Sequence, residues 1–199
     1  MKIGVFGGTF DPVHYGHMKL AKQAVQECSL DKLIVIPAYE QPFKQGRTLT
    51  HGEHRYNMLK LAFDCEDKIT VSDIELAKGD VSYTIDTLRE VKQLYGSAEI
   101  SFIVGIDAFL HVELWKDADE LLQSYAFIIG TRPGYMESEL DVLLHRLKKS
   151  HGTNVTKIQN EQIPVSSTEI KKFIKLDQDF GEAFPPEVER YIVANGLYS

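Results

Sequence analysis

Short runs of consecutive apolar residues alternate along this chain with longer stretches whose apolar positions recur every third or fourth residue. Residues 3–6 (Ile3, Gly4, Val5, Phe6) predict a first strand, and residues 14–27 a helix with Leu20, Ala21, Ala24 and Val25 on its apolar face. Leu33, Ile34, Val35 and Ile36 make residues 32–37 a second strand, of the near-continuous kind that a parallel sheet buries on both faces. Residues 55–63 read as helix and 69–74 as extended chain. Residues 84–95 form another helix with Ser82 or Thr84 as N-cap, and 100–104 and 126–129 are further buried strands. The last third holds a helix over 140–149, a short strand over 155–158, and a helix over 168–174 opened by Ser166-Ser167-Thr168. A final helix starts at Pro185-Pro186 and stops near Asn195-Gly196, where glycine supplies the left-handed turn. Strands alternating with helices predict parallel βαβ units, hence a doubly wound, mostly parallel α/β sheet. The expectation is one domain over residues 1–199, with the sheet in about 1–160 and a small helical portion in about 161–199. The irregular stretches 38–52 and 130–137 are the places where such a fold carries function.

Composition narrows the chemistry. At 199 residues the chain is long enough to bury a sizeable core, and its 43% hydrophobic and 26% charged residues are globular averages. No apolar run approaches the ~20 residues of a membrane span, and Met1 to Phe6 lack a signal-peptide layout. A cytoplasmic location is expected. Cys28 and Cys65 are too few and too far apart for a disulfide framework or a thiolate metal site, and both are expected to be reduced, structural residues. A formal net charge of −7 argues against polymeric nucleic acid as a partner, since such polymers are held by many Lys and Arg contacts. It leaves room for a small phosphorylated ligand, which needs a few local cations and N–H groups.

The segment Gly7-Gly8-Thr9-Phe10-Asp11-Pro12-Val13-His14-Tyr15-Gly16-His17 follows a predicted strand and opens a predicted helix. Its glycines allow close backbone approach, and unpaired N–H groups in the turn and at the helix start would face an anion. It lacks the Gly-Lys-Ser/Thr ending of a P-loop and the glycine spacing of a dinucleotide fingerprint. His14 and His17 stand three residues apart, on one face of the helix's first turn. Beside the glycine turn, two imidazoles there suit phosphate better than plain capping and packing.

Gly8-Thr9-Phe10-Asp11 followed by His14-x-Gly16-His17 resembles the signature of the nucleotidylyltransferase superfamily, and so implies a Rossmann-like sheet. Further segments narrow the resemblance: Ser82-Tyr83-Thr84-Ile85-Asp86-Thr87-Leu88, Gly105-Ile106-Asp107, Leu114-Trp115-Lys116, Arg132-Pro133-Gly134-Tyr135, Ser166-Ser167-Thr168-Glu169-Ile170 and the closing Asn195-Gly196-Leu197-Tyr198. In this order they resemble the bacterial nicotinate-nucleotide adenylyltransferases over nearly the whole chain. Two departures stand out. The family's Pro-Pro-His-Lys loop reads Gln41-Pro42-Phe43-Lys44 here, and Lys171 stands where the family usually has Arg, keeping the charge without the bidentate fork.

The resemblance implies transfer of AMP from ATP to nicotinate mononucleotide, giving deamido-NAD and pyrophosphate in NAD biosynthesis. The mononucleotide phosphate is itself the nucleophile, mostly dianionic at neutral pH, so no side-chain nucleophile is expected. Catalysis would rest on alignment and charge neutralisation. His14, His17 and Lys44 would serve the reacting phosphates. Gly8, Thr9, Phe10, Gly105, Asp107, Ser167, Thr168 and Lys171 would complete the ATP site, with Thr9 and Phe10 offering N–H groups and Asp107 accepting from the ribose. Lys44, Tyr83, Thr84, Trp115 and Arg132 would hold the mononucleotide, Trp115 stacking on the pyridine ring and Arg132 serving the phosphate. Mg²⁺ would arrive with ATP, resting on phosphates and water without a protein cage. His51, Glu53 and His54 lack a third partner at a diagnostic spacing and read as solvated surface; Lys148-Lys149 and Lys171-Lys172 read mostly as surface charge. Nicotinamide mononucleotide or phosphopantetheine as acceptor, a nucleotide-binding protein without catalysis, and a Rossmann-like oxidoreductase are the alternatives. A homo-oligomer is compatible with the sequence, which marks no interface.

Overall fold

The structure, a computed structural model, describes residues 1–42, 49–131, 136–159, 166–176, 178 and 183–199. In chain order its elements are β1 (Lys2–Gly8), α1 (Tyr15–Glu27), β2 (Lys32–Pro37), α2 (Gly52–Phe63), β3 (Ile69–Val71), α3 (Ile74–Lys78) and α4 (Thr84–Tyr95). There follow β4 (Glu99–Gly105), α5 (Ile106–Phe109), a 3₁₀ turn at Val112–Leu114, α6 (Ala118–Ser124), β5 (Ala126–Thr131), α7 (Glu137–His151), β6 (Val155–Gln159), α8 (Ser167–Lys175) and α9 (Pro186–Ala194).

Among the described residues the strands form one six-stranded sheet in the order β3-β2-β1-β4-β5-β6, with every neighbouring pair parallel. The two-residue period of each strand sends alternate side chains to opposite faces. Phe6, Leu33, Val35, Ile103 and Ile128 pack beneath α1, α2, α8 and α9, while Val5, Ile34, Ile36, Phe102, Val104 and Ile129 pack beneath α4 to α7. This is the doubly wound, Rossmann-like arrangement the pattern predicts. The last two helices are part of the first layer: Ile170, Val188 and Ile192 are buried in the same cluster as α1. Among the described residues, no helix is long and apolar enough to cross a membrane.

Chain order reverses between β1 and β4, so their carboxyl ends flank a topological switch point, where open α/β sheets place their ligand crevice. The ends are Gly8 on one side and Gly105 on the other.

Local expectations fail in three places. The extended reading of 69–74 holds only to Val71; Ile74 already starts α3, a helix of five residues closed by Gly79 at φ 66, too short to show a period. Neither Ser82 nor Thr84 caps α4: Tyr83 holds that position without a side-chain bond, and the Ser82 hydroxyl accepts instead from the Tyr39 N–H. Cys65 is exposed, so its reading as a structural residue does not hold, although both cysteines are free thiols.

Candidate active site

The first loop turns sharply at the end of β1. A Cβ on Gly8 would lie 2.9 Å from the Phe10 ring, so glycine is required for Phe10 to fold back. Phe10 itself has φ 48, a left-handed conformation costing a side-chain-bearing residue ~1–2 kcal/mol. Burial offsets that strain. The ring is 2% exposed and meets Phe6 and His17 edge-on, with centroids at 5.2 and 5.0 Å. The Phe10 side chain is thus a packing element, and its backbone orientation is what the turn needs.

His14 is the N-cap of α1, and the two histidines form a capping box. The Gly16 N–H donates to His14 Nδ1 at 3.1 Å, and the His14 N–H donates to His17 Nδ1 at 3.3 Å. The two rings are tilted by 30° to each other, with centroids 3.8 Å apart. Each Nδ1 accepts, so each neutral imidazole carries its proton on Nε2. The cap therefore selects the tautomer whose ring proton lies on Nε2. The expectation of unpaired N–H groups at the start of α1 is wrong, however. The Tyr15 N–H donates to the Ala183 carbonyl at 2.8 Å, Gly16 to His14, and His17 to the His14 carbonyl.

Behind the loop lies a buried polar network. Arg55, 2% exposed in α2, donates to the carbonyls of Thr50 (2.9 Å), Thr9 (2.8 Å), Ala38 (2.7 Å) and Tyr39 (3.4 Å). It ties the loop after β1, the start of the loop after β2 and the approach to α2 to one guanidinium. Asp11, 3% exposed, accepts from Lys171 Nζ at 2.9 Å and from the Tyr198 hydroxyl at 2.7 Å. Burial works against ionisation of Asp11, but bonds from Lys171, Tyr198 and Thr50 outweigh it and hold the carboxyl below its usual range. Burial and the facing Asp11 carboxylate push the Tyr198 hydroxyl far up, so it stays a donor.

α8 starts against the same loop. Ser166 caps it through a box with Glu169, so Ser167 and Thr168 are relieved of capping. The Ser167 hydroxyl donates to the Pro12 carbonyl at 2.9 Å, and Thr168 is exposed. Across the switch point, Gly105 is the N-cap of α5; a Cβ there would meet nothing within 4 Å. Asp107 is exposed in the first turn of α5 and does not cap it.

Tyr83 and Thr84, both half-buried, open α4, and Trp115 follows the 3₁₀ turn with its ring edge-on to Phe102 at 6.0 Å. Phe102 in turn is the ring that a Cβ on Gly7 would touch at 3.2 Å, which links Trp115 to the end of β1. Lys116 Nζ sits 4.7 Å from the Tyr83 ring centroid and 2.8 Å from Asp86. Lys44, Phe43 and Arg132 lie outside the described residues. A groove of about 880 Å³ opens at the other end of the sheet, around Lys2, Cys28, Ser97 and Tyr125. The carboxyl edge, where imidazoles, ammonium and hydroxyls converge, is the candidate site.

Residue-by-residue reading missed Asp11, Arg55, Glu75 and Tyr198 as polar anchors. Arg55 carried a signal: it occupies the first place of the buried stripe Arg55, Met58, Leu59, Ala62, Phe63. His54 is half-buried, not solvated, with Nδ1 3.0 Å from the Tyr191 hydroxyl, and Asn57 donates to that oxygen. These bonds tie α2 to α9. Lys171 is likewise held in an ion pair and half-buried, whereas Lys148, Lys149 and Lys172 are exposed surface charge.

Glu75 anchors the start of α4: its carboxyl is 6% exposed and accepts from the Thr87 hydroxyl at 2.6 Å. Burial raises its pKa, opposed by bonds from Thr87 and Ser82. A carboxyl raised by folding contributes stability that is complete below its unfolded value of 4.5 and fades as pH rises through the folded value. Glu75→Gln removes the titration and keeps the acceptor. Thermal melts should show the variant gaining stability over wild type at pH 8 relative to pH 5, and equal shifts at both would contradict the raised value.

The profile of the Cytidylyltransferase-like family matches residues 5–173. A curated relative in Thermoanaerobacter sp. (strain X514), named "Probable nicotinate-nucleotide adenylyltransferase", is 39% identical over 100% of this chain and 94% of its own length. One of the same name in Desulfitobacterium hafniense (strain Y51) is 37% identical over 99% of this chain and 95% of its own. In fold, the chain is similar to the Plasmodium falciparum nicotinic acid mononucleotide adenylyltransferase complexed with NaAD, at TM-score 0.81 and 22% identity, covering 99% of this chain and 97% of that one. The loop that leaves β1, its paired histidines and the start of α8 fall within the matched residues, and the chain belongs to the Cytidylyltransferase-like family, among the nicotinate-nucleotide adenylyltransferases.

Proposed function

We propose that the chain joins ATP and nicotinate mononucleotide into deamido-NAD by direct in-line displacement. A phosphate oxygen of the mononucleotide attacks the α-phosphorus of ATP. The new P–O–P bond forms as the α–β anhydride breaks, and pyrophosphate leaves with the electron pair. The observation that carries this reading is the tautomer-fixed pair His14 and His17, which follows the glycine turn and the Asp11 that Lys171 meets. Donors fixed before the reaction stabilise charge that grows on the phosphates without reorganising.

The remaining residues divide between the substrates. Ser167, Thr168, Lys171 and Lys44 would hold the outer ATP phosphates. Gly105 and Asp107 would take the adenosine; a Cβ at Gly105 would meet nothing within 4 Å, so the space beside it is open. Tyr83, Thr84, Trp115 and Arg132 would bind the mononucleotide, the indole covering the pyridine. ATP would bring Mg²⁺ as part of the substrate. Such an ion can rest on phosphate oxygens and water. The names of the curated relatives and the NaAD complex of the Plasmodium protein support the choice of acid substrate.

The test is pyrophosphate release from ATP and Mg²⁺ with three acceptors in parallel: nicotinate mononucleotide, nicotinamide mononucleotide and phosphopantetheine. The nicotinate substrate should give the highest kcat/KM. A higher value with the amide would reassign the substrate, and no release with any acceptor would remove the reaction.

A further inference from the structure

We propose that Asp11 and Tyr198 are positioning residues for ATP: they hold the Lys171 ammonium against the phosphate-binding turn before the nucleotide arrives. The inference rests on the ATP reading above. Asp11 belongs to that turn, directly after Phe10, and both its oxygens are engaged, Oδ2 also accepting from the Thr50 N–H at 3.5 Å. Oδ2 takes the Lys171 ammonium at 2.9 Å, and Oδ1 takes the Tyr198 hydroxyl at 2.7 Å. The same ammonium lies 5.9 Å from the centroid of the Tyr198 ring, so tyrosine meets lysine both through the shared carboxylate and through its π face.

Lysine needs such a clamp. Its ammonium is a point charge on a flexible four-carbon stem, and freezing that stem on a ligand weakens binding unless the protein has already done so. An ammonium has three N–H donors, so the bond to Asp11 leaves capacity for phosphate oxygens. Orientation of Asp11 decides where the lysine sits, and Tyr198 sets that orientation. Tyr198 adopts φ 69, a left-handed conformation unfavourable for any residue with a Cβ. The hydroxyl bond to a buried carboxylate, which burial of the tyrosine keeps in its protonated form, offsets that strain. Strained backbone maintained by a specific contact is characteristic of groups held in place for a ligand.

Tyr198→Phe removes the hydroxyl and keeps the ring. Pyrophosphate release should then show KM for ATP raised roughly tenfold, the scale of one hydrogen bond to a charged group. Both kcat at saturating ATP and KM for nicotinate mononucleotide should stay within about twofold, a split that general loosening of the fold would not produce. Asp11→Asn should act in the same direction. The decisive comparison is in a Lys171→Ala background, where Tyr198→Phe should change KM for ATP no further, because the tyrosine acts through the lysine. An unchanged KM for ATP in the single variant, or an undiminished effect in the lysine-free background, overturns the clamp. Wild type runs in the same assay; its failure to release pyrophosphate would instead overturn the reaction itself.

Discussion

His17→Ala is expected to lower kcat by about 10²–10³-fold, the range for removing one preorganised donor from a site of developing charge. The alanine variant also loses an acceptor within the fold, since His17 Nδ1 takes the His14 N–H at 3.3 Å. Caps of this kind are worth about 0.5–2 kcal/mol, so a fall in rate from alanine alone would mix two causes. His17→Asn separates them. An asparagine oxygen can sit near the Nδ1 position and accept the same N–H, while nothing reaches the Nε2 position. The asparagine variant should melt close to wild type, keep its KM for nicotinate mononucleotide, and still lose about 10²-fold or more in kcat. Recovery of kcat in the asparagine variant would show that His17 matters as a cap and that the transition-state donor lies elsewhere.

The double duty of His14 and His17 shows where sequence reasoning reaches its limit. Spacing alone puts both rings on one face of a first turn above a glycine loop, and the structure keeps them there. What spacing does not give is direction. The backbone bonds at Nδ1 fix the tautomer, and the same bonds silence the helix N–H groups that were expected to bind the anion. The strands were legible for a simple reason: Leu33 to Ile36 and Ile103, Ile128 and Ile129 are apolar on both faces because both faces are covered. α3 and α5 were not legible, because helices of five and four residues complete barely one turn and leave no period.

The polar anchors were hidden for a different reason. Asp11 meets Lys171 and Tyr198 at separations of 160 and 187 residues, and no local pattern encodes such contacts. Asp11 stood in view as part of the quoted motif and Tyr198 as part of the closing segment, yet nothing in either stretch says that they share a hydrogen bond. Arg55 is intermediate. An arginine heading an apolar helical stripe announces a buried charge, but which groups it satisfies is a tertiary fact.

Arg55→Met is the substitution with the largest expected effect on stability. The side chain is 2% exposed, and its three shorter bonds go to carbonyls of Thr9, Ala38 and Thr50. Methionine fills much of the volume and supplies no donor, so those carbonyls lose a partner in a place with little access to water. Asp11 loses the favourable field of the guanidinium as well, which acts alongside the bonds from Lys171 and Tyr198. Removing one member of a buried charged network typically costs about 3–5 kcal/mol, and for a chain of this size that corresponds to a melting temperature lower by roughly 6–20 °C. Arg55→Lys should fall between the two, since one ammonium keeps the charge but cannot span carbonyls that the fork reaches along separate directions. The loss should also reach function in molecules that still fold. Thr9 belongs to the turn after β1, Ala38 directly follows β2 and Thr50 precedes α2, so one guanidinium sets the spacing between the turn proposed to bind phosphate and these two segments. Below its melting temperature, Arg55→Lys should therefore show a lowered kcat/KM for ATP. Full activity beside a lowered melting temperature would confine Arg55 to stability and leave the loop geometry to the rest of the fold.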